Sequence, residues 1–269
     1  MEEKLEQVRR ILRQLGSVVV AFSGGTDSSL MSKLAYDCLG DWALAVTVVS
    51  PSLSATERAS AEAVARHIGI RHQFIDGQEM DDDRFRANPP NRCYYCKHEG
   101  YAQLIECARQ LGYAAVVDGS NADDDSDYRP GRQAARELGV RSPLQEAGLT
   151  KAEVRAAARS LGLPNWNKPA AACLASRIPY GTPLSNELLA QVERAEQVLQ
   201  ALGLRQLRVR HHGPLARIEV EPDDFARVLA HRRQIVEGLQ AAGYTYVTLD
   251  LAGFRSGSMN EVVAERGRP

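Results

Sequence analysis

The chain has 269 residues, 44% hydrophobic and 25% charged, which is enough to bury a core without staples and suits one large domain or one domain plus a smaller one. Lys and Arg number 33 against 34 Asp and Glu, so the net charge is −1, which argues against a dedicated polyanion binder. No apolar run approaches the ~20 residues of a membrane span. Residues 1–15 are charged and amphipathic and lack the apolar core of an export signal. Five cysteines, an odd count, point to a reducing cytoplasm with free, metal-bound or reactive thiols.

In chain order, Leu5, Val8, Ile11, Leu12 and Leu15 predict a helix by their three-four spacing. Residues 18–22 form a β-branched run expected to be a buried strand. The string Ser23-Gly24-Gly25-Thr26-Asp27-Ser28 follows, and Leu30, Met31, Leu34, Ala35 and Cys38 mark the next helix. Residues 43–49 predict a second strand, 55–68 a second helix and 72–75 a third strand. Residues 76–92 have no period and contain Pro89-Pro90, so a long functional loop or insertion is expected there, running on to Cys93 and Cys96. A helix over about 98–111 leads to a strand at 114–117. This alternation predicts an α/β fold with a doubly wound parallel sheet.

Thr150 with Glu153 reads as a capping box that opens a helix ending at Leu161. Residues 164–183 are Pro-rich and aperiodic, an ordered loop carrying Cys173. Beyond it the pattern changes to a helix over 188–202, a hairpin of 207–211 with 216–221, a helix over 225–242 and a strand at 244–249. The expectation is a nucleotide-type domain over 1–183 and a smaller antiparallel α+β domain over 184–269, for substrate binding or oligomerisation.

The string 23–28 joins a buried strand to a helix start. Two glycines let backbone amides approach an anion closely. The helix dipole adds positive potential, and Ser23, Thr26 and Ser28 add hydroxyl donors. A tight turn capped by Asp27 or Ser28 would satisfy the same residues. The Walker pattern needs a lysine beside its second glycine, and here none appears before Lys33. The full string resembles the pyrophosphate loop of the N-type ATP pyrophosphatases, which include GMP synthetase, NAD synthetase, asparagine synthetase and tRNA thiolation enzymes. That resemblance implies cleavage of ATP between its α and β phosphates. It also implies that Ser23, Gly24, Gly25, Thr26, Asp27 and Ser28 hold the pyrophosphate, with Asp27 among the catalytic residues. The segment 118–124 resembles the second nucleotide segment of these enzymes, and Asp124 is expected to orient magnesium-ATP. By itself the segment is a polar turn at a strand C-terminus, where such sheets bind ligands.

Cys38 and Cys107 lie on apolar helix stripes and are expected to be core. Cys93 and Cys96 form a Cys-x-x-Cys pair, and no second pair completes a four-cysteine zinc site. With Cys173 they make three thiolates, which could hold a 4Fe-4S cluster and leave its fourth iron open. An unligated Cys173 beside a solvent-facing pair is the alternative. Residues 91–97, 172–181 and 257–261 (Gly257-Ser258-Met259-Asn260-Glu261) resemble the LarE family. The resemblance implies an ATP-dependent sulfur transferase that adenylates pyridinium-3,5-biscarboxylic acid mononucleotide. It converts the carboxylates to thiocarboxylates for the nickel-pincer nucleotide cofactor of lactate racemase. Some members sacrifice the cysteine matching Cys173. Others use three cysteines and a 4Fe-4S cluster. This chain has all three, so the expectation is a cluster on Cys93, Cys96 and Cys173, with ATP and Mg2+ as the other cofactors.

Only five of the 33 basic residues are lysines, and arginine suits bidentate recognition of phosphate. Arg208 and Arg210 fall on one face of a strand, spaced ~6.6 Å. Unaided, this pattern fits a phosphate grip or cross-strand pairing with Glu219 or Glu221. In the LarE-like motif Arg208, Arg210, Ser176 and Arg177 match positions assigned to the substrate phosphate. Lys168 is expected to neutralise phosphate charge during adenylation. His211-His212 reads as a polar turn rather than a metal site, and residues 81–83 as solvated loop. The resemblance further implies a small pyridinium mononucleotide as partner and a hexamer, while charge, hydropathy and cysteine count lead to the expectation of no nucleic acid or membrane partner and a cytoplasmic location. Two alternatives stand beside this reading: a tRNA thiolation enzyme, disfavoured by the near-zero charge, and a nucleotide-binding module without catalysis.

Overall fold

The computed structural model describes residues 1–126, 130–169 and 172–255. It divides into two compact units, Met1–Phe85 with Asn91–Ala171, and Arg86–Pro90 with Ala172–Pro269.

The first unit is built on four strands, β1 (Val18–Ala21), β2 (Ala43–Val49), β3 (Arg71–Asp76) and β4 (Ala115–Val117), in the order β3-β2-β1-β4. All pairings are parallel, with Val19 beside Leu44 on one side and Val116 on the other. Both sheet faces are covered, which is why the strands read as unbroken apolar runs. Val18 and Val20 pack with α1 (Glu2–Leu15), α2 (Thr26–Leu39) and α3 (Ala55–Ile68). Val19, Leu44 and Val46 face Tyr101, Leu104 and Ala108 of a long helix on the other side. The strand order turns back between β1 and β4, so the loops after these strands emerge side by side. Such a switch point is where an open α/β sheet binds its ligand.

Between β3 and β4 the chain holds a 3-10 turn (Glu79–Asp81), the short α4 (Asp83–Arg86) and the long α5 (Arg92–Leu111). The helix expected from residue 98 therefore starts at Arg92, and the Cys-x-x-Cys pair lies in its first two turns, not in a loop. Its buried stripe (Tyr101, Leu104, Ala108) begins two turns in, so periodicity missed the start. α6 (Pro130–Glu137) and α7 (Pro143–Glu146) were not anticipated, and α8 (Lys151–Ser160) follows. The capping box of α8 forms as expected, with Thr150 accepting from Glu153 N. Lys4 of α1 reaches the same carboxylate at 2.7 Å. That cation and the Thr150 amide pull Glu153 down to about 2.

In the second unit, α9 (Asn186–Ala201) is capped by Ser185, and β5 (Leu207–His212) pairs antiparallel with β6 (Leu215–Val220). The helix expected over 225–242 breaks at His231 into α10 (Phe225–Ala230) and α11 (Arg232–Ala241). β7 (Tyr246–Leu249) pairs with β6 in parallel, so this sheet is mixed rather than antiparallel. The two helices form a crossover that returns the chain to the same end of the sheet, which parallel pairing requires. Leu199, Val209, Ile218, Val220, Ile235 and Leu239 make its core. Arg86–Pro90 belongs here because Asn88, fully buried at φ 54, donates to the carbonyls of Pro179 (2.9 Å) and Thr182 (3.0 Å). The change of pattern at residue 183 thus lies inside the second unit. Among the described residues no helix is long and apolar enough to cross a membrane.

Candidate functional site

The phosphate loop leaves the sheet after Phe22, whose amide still bonds Val46 O at 2.9 Å. Gly24 has φ 70, and a Cβ there would stand 2.7 Å from Ala61 Cα on α3, so only glycine fits. The hydroxyls close the loop on itself. Ser23 N donates to Ser28 Oγ (3.3 Å), the two serine oxygens are 3.1 Å apart, and Gly25 N donates to Ser23 Oγ (3.3 Å). α2 starts at Thr26 from an extended Gly25 with no side-chain cap, so no capping side chain occupies its first-turn amides, as an anion site would require.

The loop after β4 is keyed to this helix start. A Cβ on Gly119 would lie 2.6 Å from Ser28 N and 2.7 Å from Asp27 C. Asp118, 4% exposed, anchors the loop by accepting from Tyr101 OH (2.7 Å), Ser142 Oγ (2.7 Å), Ser120 N (3.1 Å) and Ser120 Oγ (2.9 Å). Burial and the neighbouring Asp118 push the Tyr101 phenol well above its usual range, so it stays a donor. Asp124 is buried and accepts from Asn121 N at 3.0 Å, building its own turn. Asp123 accepts from Lys151 N at 2.8 Å. The Asp125 side chain lies outside the described residues.

Two contributors here escaped sequence reading. Lys151, in the first turn of α8, pairs through Nζ with Asp27 Oδ2. A cation at a helix N-terminus opposes the dipole, so its placement next to a lysine-free phosphate loop is the signal that was missed. Asp27 Oδ1 is buried and has no hydrogen-bond partner among the described residues. Asn165, in the aperiodic stretch after α8, bonds Gly24 O and Ser29 Oγ through Nδ2, each at 2.9 Å. Lys168 is tied to Glu57 (2.7 Å) and Ser60 (3.0 Å) of α3, the helix whose Ala61 lies against Gly24.

The five cysteines are all thiols. Cys93 is exposed and Cys96 half-buried, one turn apart at the start of α5, where the dipole favours negative charge. Cys173 is exposed in the second unit, at the N-cap of a 3-10 turn (Leu174–Arg177). Among the described residues no three His, Cys, Asp or Glu side chains are grouped to hold a metal ion. Cys38 and Cys107 are partly buried against core clusters, and burial raises both thiols.

The expected phosphate arginines form a buried lattice in the second unit. Arg177 makes a bidentate pair with Glu196 (2.8 and 3.0 Å), and its NH1 donates to Ala172 O (2.7 Å), Cys173 O (3.2 Å) and Ser176 Oγ (3.0 Å). Arg210 grips Glu219 Oε2 (3.0 and 2.8 Å) and bonds Ser176 O (2.9 Å). The carboxylate alternative is thus realised for Arg210, with both partners buried. The pair is diagonal, since Arg210 sits opposite Arg217 in the register and Glu219 opposite Arg208. Arg208 differs: its guanidinium lies 5.2 Å over the Phe254 ring, and burial and the nearby Arg177 lower it to about 10. Glu196 was legible in principle, as a lone carboxylate on the buried stripe Leu189, Val192, Ala195, Leu199. His211 and His212 close β5 rather than a turn. The motif 257–261 lies outside the described residues.

Comparison with known proteins follows this division. The asparagine synthase family matches residues 2–84, which hold the phosphate loop and none of the three candidate cysteines. Along nearly its whole length the chain is similar to an uncharacterized protein of Synechocystis sp., at 47% identity over 98% of this chain and 100% of that one. It is 43% identical to pyridinium-3,5-bisthiocarboxylic acid mononucleotide synthase of Lactiplantibacillus plantarum, over 94% of this chain and 92% of that protein. Similarity to the tRNA-specific 2-thiouridylase of Desulforamulus reducens is 28% and spans 56% of this chain and 52% of that enzyme.

Proposed function

Because the chain belongs to the family of pyridinium-3,5-bisthiocarboxylic acid mononucleotide synthases, the LarE-type sulfur transferases, we propose that its two glycine-keyed loops carry the adenylation step. The chain is an ATP-dependent sulfur transferase of the PP-loop superfamily. Its substrate is pyridinium-3,5-biscarboxylic acid mononucleotide, whose carboxylates become thiocarboxylates. The observation that carries this reading is the match over nearly the whole of both chains. A substrate carboxylate oxygen attacks the α phosphorus of ATP, the α–β bond breaks, and pyrophosphate leaves onto the amides of Gly25 to Ser28. Sulfur then attacks the acyl-adenylate carbon and AMP leaves with the bonding pair. The buried, unpartnered Asp27 Oδ1 suits a magnesium ligand, with Asp124 as the second carboxylate. Magnesium, when bound, supplies charge neutralisation on the phosphates.

In the second unit Arg208 is the arginine we assign to the substrate phosphate. Arg177, Arg210 and Ser176 hold the turn that presents Cys173. We propose that Cys93, Cys96 and Cys173 hold a 4Fe-4S cluster, which when bound supplies the sulfide. The pair at one helix start and an exposed third thiol support this donor set, while the three are not grouped among the described residues. We further propose a cytoplasmic homo-oligomer whose product serves a nickel-pincer nucleotide cofactor of the lactate racemase type. The exposed Tyr246 on edge strand β7, with Leu229 and Leu251, supports assembly. A monomer in light scattering would refute that part.

The test is anaerobic turnover with ATP, magnesium, sulfide and the mononucleotide after iron reconstitution. The reading expects AMP, pyrophosphate and thiocarboxylate over repeated turnovers with Cys173 intact. Dehydroalanine at Cys173 after one turnover would replace the cluster by a sacrificial thiol. ADP as product would overturn the reading as a whole.

A further inference from the structure

The phosphate loop carries a bracket outside the residues that face its concavity. Asn165 is 8% exposed and lies after α8 on a rigid platform. Leu163 is buried and its amide returns to Ala158 O (2.9 Å), Trp166 packs on the core under Arg159, and Lys168 N bonds Asn165 O (3.0 Å). From this platform Asn165 meets the loop three times. Its carbonyl accepts from Thr26 Oγ1 (2.9 Å), and its Nδ2 donates to Gly24 O and to Ser29 Oγ (2.9 Å each). The amide cannot be turned over, because that would set Oδ1 against Gly24 O, acceptor against acceptor. Oδ1 itself is buried with no partner among the described residues, so the side chain tolerates one unsatisfied atom to keep the bond to Gly24.

That bond controls a peptide plane. In a trans peptide the carbonyl and the following N–H point in opposite directions. With Gly24 O held outward by Asn165, the Gly25 N–H must point to the other side, where it meets Ser23 Oγ at 3.3 Å beside Ser28 Oγ. Between two glycines this plane has little steric resistance to rotation. Turned over, it would present a carbonyl oxygen to an incoming phosphate. We propose that Asn165 is a positioning residue of the phosphate loop, locking the Gly24–Gly25 peptide with its N–H toward the pyrophosphate. The inference rests on the reading of this loop as a pyrophosphate site and adds the residue that sets its polarity.

The test compares Asn165→Leu, which keeps the branching at Cγ and removes the donor, and Asn165→Ala with the full-length wild type. Calorimetry with inorganic pyrophosphate and magnesium reads the site directly. Both variants should bind pyrophosphate at least about tenfold more weakly, as expected for one lost positioned hydrogen bond. The KM for ATP should rise in parallel while the KM for the mononucleotide is unchanged, a split that a general loss of folding would not give. Asn165→Asp, which puts an acceptor against Gly24 O, should be weaker still. If either neutral variant, folded by circular dichroism, binds pyrophosphate within twofold of wild type, the bracket is refuted and the adenylation reading stands. If the wild type itself binds no pyrophosphate and releases ADP, the adenylation reading fails first.

Discussion

The phosphate loop and the arginine lattice meet charge in opposite ways. In the first unit the phosphate loop is made of backbone amides and short hydroxyls, and the amides of Ser23 and Gly25 donate to serine oxygens of the loop itself, bonds that an anion could replace at little cost. In the second, Arg177 and Arg210 are each 5% exposed and already neutralised by Glu196 and Glu219. A motif made of backbone keeps its role wherever the local string is kept. A motif made of long side chains acquires its role from partners elsewhere in the chain.

The largest expected effect breaks the lattice. Glu219 is fully buried and shared by Arg210 and Arg217. Glu219→Leu takes the buried carboxylate from Arg210, while Arg217 keeps Asp250 (3.6 Å), and should cost about 3–5 kcal/mol in denaturant unfolding. A loss below 1 kcal/mol, roughly the worth of an exposed pair, would show the lattice to be a solvated surface feature. Next is Gly119→Ala, which forces a methyl against Ser28 N. It should cost about 1–3 kcal/mol by overpacking and stop pyrophosphate release, seen in a coupled phosphate assay. Normal release would mean that the two loops are not keyed together.

Lys151→Ala sharpens the comparison from the other side. It removes a cation from the phosphate site while leaving the fold, so stability should change by less than about 1 kcal/mol as the KM for ATP rises several-fold. A stability loss without a KM change would make Lys151 a purely structural partner of Asp27. The smallest effect is a pH dependence. Glu153 is held at about 2 in the fold against an ordinary value of 4.5. A depressed carboxylate contributes stability that is present above its unfolded value and lost as pH falls toward the folded one. Lys4→Met should therefore narrow the gap in stability between neutral pH and the window from 4.5 to about 2, by under about 1 kcal/mol for so accessible a pair. An unchanged acid unfolding curve would remove Lys4 as the cause.

The same contrast explains what the sequence disclosed. The parallel sheet, the phosphate loop and the capping box of α8 depend on neighbours within a few residues, and each was legible. The start of α5 was not, because its first two turns, with Cys93 and Cys96, have no buried apolar stripe to mark them. The parallel pairing of β7 was hidden because a break at His231 turns one expected helix into a crossover. Asn165 and Lys151 reach Gly24 and Asp27 across more than a hundred residues, and no local period records such a contact. Arg210 was read correctly as facing one way along its strand, but its burial depended on Glu219 lying diagonally across the hairpin.

The account stands on adenylation of a substrate carboxylate by the lysine-free loop. Substrate carrying heavy oxygen in its carboxylates, turned over with ATP and sulfide, tests this directly. The account predicts one heavy oxygen in the phosphate of every AMP released per thiocarboxylate formed. Unlabelled AMP, or ADP in its place, would contradict it.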